Sequence, residues 1–137
     1  MSTTRGLRNN NPLNIRKSMD TFLGEKTSTD KAFKQFVTMP YGYRAAFVIL
    51  SNYNKRGLNT IEKIIGRWAP PTDGNHTENY IRNVAIRSGI DRKKVLTLKD
   101  GNDYIKIVAA MCFSENGKEA VMNDVIDGFL LQSRITR

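Results

Sequence analysis

Cysteine, histidine and tryptophan each occur once in the 137 residues, as Cys112, His76 and Trp68. A single cysteine excludes a disulfide within the chain, and one histidine beside it leaves no Cys/His set with metal-ligand spacing. No metal or other cofactor is therefore expected. Any Ser-His-Asp or Cys-His mechanism would have to use His76, which stands in the polar segment DGNHTEN. Cys112 falls on an apolar helical stripe and reads as core. No apolar run approaches the roughly 18 residues of a membrane span. The first residues, MSTTRGLRNNN, contain no apolar stretch of the secretory-signal kind, so no standard signal is expected.

Acidic residues are also scarce, 13 against 22 Lys and Arg, for a net charge of +9. Such a balance points to a polyanionic partner, nucleic acid or an anionic cell wall, or else to a solvated basic surface. No nucleic-acid recognition motif accompanies it, which makes nucleic acid the weaker partner. The length fits one domain, residues 1–137, with enough chain to bury a core.

In chain order, three asparagines before Pro12 disfavour a helix and favour an ordered loop. The loop is expected to lead into a short strand over residues 13–16. Residues 18–40 read as a small hairpin or meander around the strand-like AFKQFV, broken by Pro40-Tyr41-Gly42. From Tyr43 the pattern turns helical. RAAFVILSNY runs to Lys55, and Gly57 ends it. Asn59 is expected to cap the next helix with Glu62 in capping-box spacing, and Ile61, Ile64, Ile65 and Trp68 form its core face. Thr77 is expected to cap TENYIRNVAIRS, which Gly89 closes, and a last helix is expected over residues 118–132. The sum is an α+β, mainly α domain: a small N-terminal β-region followed by five or six helices.

The segment YIKIVAAMCFSENG, residues 104–117, carries the chemistry. Tyr104, Val108, Met111 and Cys112 recur at helical spacing, Glu115 extends the same stripe, and Asn116-Gly117 stops the helix. A carboxylate ending an apolar face is either a helix-end residue reaching water or a group whose burial raises its pKa, as a general acid requires near neutral pH. The three consecutive amides at 9–11 offer a polar edge of the kind that binds sugars.

These motifs carry a resemblance. RGLRNNNPLNIR, F-x-x-F, YGYRAA, TIEKIIGRWAPP, TENYIRNV and the late SENG together resemble phage and prophage proteins, a group of virion structural proteins and lysozyme-like peptidoglycan hydrolases. The likeness runs from about Arg5 to Gly117, and RNNNP-x-NIR and RWAPP are its most specific parts. TENYIRNV is similar to the late tyrosine motif of lytic transglycosylases, which implies Tyr80 in the sugar cleft. AAMCFSENG is similar to the helix end A-A-x-x-x-x-E-S-G of bacterial glucosaminidases, and NNNPLNIR to their N-N-x-F-G-I-K segment, in reversed order. A circular permutation of the lysozyme-like fold explains that reversal. Two positions depart from the pattern: Leu13 stands where a glycine is usual, and GNHT where an asparagine–aspartate–threonine segment is usual.

The resemblance implies a lysozyme-like domain that cleaves β-1,4 links of peptidoglycan with Glu115 as general acid. Asn11, Asn14, Tyr80 and Asn116 would hold the glycan. Hydrolysis would need a second carboxylate, for which Glu25 and Asp30 are the candidates; a lytic transglycosylase would need none. The resemblance also implies bacterial peptidoglycan and virion components as partners, and synthesis in the bacterial cytoplasm followed by action at the cell wall or periplasm. The other reading is a phage structural protein that keeps the fold without catalysis.

Overall fold

The structure, a computed structural model, describes residues 3–135. It is mainly helical. A short helix α1 (Arg5–Arg8) precedes two strands, β1 (Glu25–Lys26) and β2 (Gln35–Phe36). Then come α2 (Met39–Lys55), α3 (Ile61–Trp68), a 3-10 turn (Pro71–Asp73), α4 (Thr77–Ser88), α5 (Gly101–Asn116) and α6 (Met122–Ile135). The strands pair antiparallel, Glu25 opposite Phe36.

The apolar periodicity of α2, α3 and α5 is realised as one core. Leu50, Ile61, Ile64, Ile65, Ile107, Val108 and Met111 are all fully buried in it. Helix α6 crosses α2 at Gly128, where an added Cβ would come within 2.6 Å of Tyr43 Cβ and 2.8 Å of the Pro40 carbonyl. Arg92 fastens α3 to α4 by pairing with Glu62 at 2.7 Å and Glu78 at 2.6 Å.

Several local expectations are corrected. Residues 13–16 form no strand: Asn11 to Asn14 make a turn, and only an isolated bridge joins Arg16 to Phe33. The β-region ends before Pro40 as expected, but α2 begins at Met39 rather than Tyr43, because proline costs nothing in a first turn where its missing N–H would be unpaired anyway. Thr60, not Asn59, caps α3, its hydroxyl accepting from the Lys63 N–H at 3.1 Å. Thr77 is the first residue of α4, and its hydroxyl donates to the Ala69 carbonyl at 2.6 Å. The last helix begins at Met122 rather than 118.

Candidate functional site

Helix α5 delivers Glu115 as its penultimate residue, and Gly117 adopts a left-handed φ of 68° and closes the helix. The asparagine tract meets it from the other end of the chain. Asn10 and Asn14 both take positive φ, 51° and 54°, a conformation asparagine tolerates better than other side-chain-bearing residues. That turn aims Asn14 at α5, where its Nδ2 donates to Glu115 Oε1 at 2.8 Å across 101 positions of sequence. From α4, the Tyr80 hydroxyl donates to Glu115 Oε2 at 2.9 Å. Each carboxylate oxygen is therefore held by a different element.

Glu115 is partly buried, and burial pushes its carboxyl above the ordinary range. The hydrogen bonds from Asn14 and Tyr80 and the nearby charge of Arg16 pull the other way and do not cancel it. The Tyr80 phenol is itself raised well above its usual range, first by burial and then by the Glu115 charge, so it stays protonated. Asn14 Oδ1 is buried and accepts no hydrogen bond.

The remaining asparagines build the site without facing it. Asn11 is fully buried: its Nδ2 donates to the Ile15 and Lys34 carbonyls, both at 2.9 Å, and its Oδ1 accepts from the Ile15 N–H at 2.8 Å. Asn116 is 6% exposed. Its amide donates to Pro12 and Cys112 carbonyls, and its oxygen accepts from the Thr4 hydroxyl at 2.7 Å. Neither amide is free for a glycan in this arrangement, so their expected role of direct sugar contact gives way to one of fixing the loop that carries Asn14. Gly6 of α1 seals this junction. A Cβ there would meet Asn116 Oδ1 at 2.7 Å, Asn14 Oδ1 at 2.8 Å and the Asn11 carbonyl at 2.9 Å.

The two further carboxylates proposed from sequence are engaged elsewhere. Glu25 pairs with the buried Lys34 amine at 2.9 Å and accepts from the Phe22 N–H. Asp30 takes both ends of the Arg5 guanidinium at 2.7 Å, plus Asn9 and the Ala32 and Phe33 N–H groups, and is held well below the usual carboxylate range. Neither shares a hydrogen-bond partner with Glu115.

Beside Asn14 lies a pocket of about 210 Å³ lined by Asn14, Ile15, Arg16, Ile49, Tyr53 and Trp68. Trp68 sits edge-on to Tyr53 with centroids 6.3 Å apart, and is partly buried rather than sealed in the core. Sequence spacing placed Trp68 on the core stripe of α3. Its second face, toward the pocket, depends on Asn14 and Arg16, some fifty residues away. Cys112 is buried and receives a hydrogen bond from the Tyr43 hydroxyl at 3.2 Å, whereas His76 is exposed. Among the described residues no cluster of His, Cys, Asp or Glu side chains is arranged to hold a metal ion. No helix among them is long and apolar enough to cross a membrane.

No family model matches the chain. It is similar to Protein P5 of Pseudoalteromonas phage PM2, with 43% identity over 127 residues, covering 89% of this chain and 77% of that protein. An asparagine loop locked onto the end of a late helix thus belongs to a bacteriophage-type sequence, and the chain is a member of the family of Protein P5 of phage PM2.

Proposed function

We propose that this protein is a lysozyme-like, peptidoglycan-cleaving glycosidase with Glu115 as its general acid. The observation that carries the reading is a carboxyl raised by burial, with each oxygen oriented by a neutral donor and no ion pair to it among the described residues. Such a group holds a proton at higher pH than a solvated glutamate, and Asn14, which bonds it, also lines the adjoining pocket. The adjoining pocket offers an aromatic, an arginine and an amide, the side chains suited to sugar rings and their substituents. Contact between the asparagine loop and the Glu115 helix supports the permuted lysozyme-like arrangement. The net charge of +9 favours an anionic wall.

The geometry supports the transglycosylase form of the reaction best, because Glu25 and Asp30 are each committed to ion pairs with other residues, Lys34 and Arg5. Glu115 protonates the glycosidic oxygen as its bond to C1 breaks. The sugar's own 6-hydroxyl then attacks C1 and returns its proton to Glu115. The product is an internal anhydro ring, and the acid is regenerated with no water consumed. Asn14 and Tyr80 hold the carboxyl through both proton transfers. The phage family supports delivery to the host wall or periplasm with virion components as partners.

The same family membership supports a second reading, a phage structural protein that keeps this fold without catalysis. Clearing of purified peptidoglycan by wild type and by Glu115→Gln separates the two. Loss of clearing in a folded Glu115→Gln is expected. No clearing by folded wild type on several wall types would establish the structural role instead.

A further inference from the structure

Arg44 lies in the first half of α2, within the otherwise apolar run RAAFVIL, and is 7% exposed. Its Nε is buried with no hydrogen-bond partner, and it forms no ion pair among the described residues. An arginine removed from water without an anion is costly, and buried guanidinium groups are ordinarily paired. The group opens onto a pocket of about 450 Å³. Phe22, Leu23, Val48 and Ile49 give the pocket apolar walls, and Asn52 and Arg56 add polar groups. Asp20 stands in the same lining but pairs with neither arginine.

Ile49 also lines the pocket beside Asn14, so the two cavities adjoin across one side chain. A ligand extended from the pocket beside Asn14 would cross Ile49 and reach Arg44. We propose that the Arg44 pocket is a second subsite, in which Arg44 binds a carboxylate of the peptide carried by the glycan. This rests on the reading of the cleft as a peptidoglycan site. A planar guanidinium recognises a carboxylate through paired N–H donors. The apolar walls suit the methyl and methylene groups of short peptide side chains, which a bare phosphate lacks. Arg44 supplies the donors for one anionic group, and Arg56, about three turns further along α2, adds to the positive field of the pocket.

The test has two arms. In the first, the Glu115→Gln protein, which retains the cleft without turnover, is titrated with muramyl dipeptide and, separately, with inorganic phosphate, following amide shifts by NMR. Shifts at Arg44, Asn52 and Arg56 with muramyl dipeptide are expected, weakened about tenfold or more in Glu115→Gln combined with Arg44→Gln. Absence of those shifts, or phosphate binding as tightly as the dipeptide, would overturn the assignment. In the second arm, cleavage rates are compared on peptide-bearing glycan and on strands stripped by an amidase. Wild type is expected to prefer peptide-bearing strands about tenfold. Arg44→Gln should lose that preference while keeping its rate on stripped strands; an unchanged preference would overturn the proposal. Arg44→Lys, which keeps the charge but loses the paired donors, serves the same purpose if Arg44→Gln fails to fold. Dipeptide binding without any cleavage would leave the subsite standing and remove the catalytic reading. Cleavage without dipeptide binding would do the reverse.

Discussion

Replacing Glu115 by glutamine should make the protein more stable at neutral pH. The carboxyl is raised by burial despite two hydrogen bonds, so the fold binds its proton more tightly than the unfolded chain does. The sign follows from that. The stability linked to this group is fully present below the ordinary glutamate range, and it is lost as pH rises through the higher pKa of the folded state. At pH 7 the ionised form is a net cost, which glutamine removes. Glutamine also fits the local bonds: its oxygen accepts from Asn14 as Oε1 does now, and its amide donates to a Tyr80 hydroxyl turned to accept. Each pKa unit corresponds to about 1.4 kcal/mol. Removal of a functional charge of this kind typically returns on the order of 1 kcal/mol. For a chain of this size that is roughly 4 °C in Tm. Urea unfolding of both proteins at pH 7, repeated below about pH 4 where both side chains are neutral, measures it. The difference should shrink at the lower pH. A Glu115→Gln protein less stable than wild type at pH 7 by more than about 1 kcal/mol would refute the reasoning, because the charge would then be a structural anchor.

Four further perturbations follow from the same geometry. Tyr80→Phe removes the donor to Oε2, so the Glu115 carboxyl should rise further and the alkaline limb of the pH–rate profile should move to higher pH, with kcat falling about tenfold. An unshifted limb would show that Tyr80 does not act on the acid. Gly6→Ala drives a methyl group into the Asn11–Asn14–Asn116 junction and should destabilise the protein by about 1–3 kcal/mol in urea unfolding. A neutral effect would mean that the loop gives way easily. Asp30→Asn should lower stability at neutral pH, since Arg5 holds that carboxylate well below its usual range. The deficit should begin to shrink as pH falls below the ordinary aspartate range and keep shrinking toward the lower pKa of the folded state, which acid titration of both proteins would show. Glu25→Gln leaves the Lys34 amine, 2% exposed, without its carboxylate, and should destabilise by about 3 kcal/mol; equal midpoints would mean that the Asp20 carbonyl alone satisfies the amine.

What could be read from sequence was whatever repeats locally. The 3.6-residue spacing from Tyr104 to Glu115, stopped by Gly117, located the helix and its terminal carboxylate before any coordinates. The order of a small β-region and then five helices was legible in the same local way, whereas the one-turn helix α1 ahead of the strands was not, because four residues are too few to show a period. Caps were legible only to within a residue, since Asn59 and Thr60 are both good caps and the backbone chose the threonine. Pro40 reads as a breaker or a starter until the position of the first helical turn is known. The division of labour among the asparagines was hidden, because it depends on partners far away in sequence. Asn11 is buried by the Lys34 carbonyl, whereas Asn14, three residues on, reaches Glu115. Arg44 was hidden for a different reason. A charge inside RAAFVIL looks like an exposed position on an amphipathic helix, and only the burial of the surrounding face makes it unpaired.

Whether Glu115 acts as a lone acid on the glycan is read most directly from the mass of the fragments released from purified peptidoglycan by the wild-type protein. Fragments lighter by one water than the hydrolytic products, absent from a Glu115→Gln digest, are the predicted result. Fragments carrying free reducing ends would contradict the single-carboxylate mechanism. Equal release by wild type and Glu115→Gln would contradict the assignment of the acid itself.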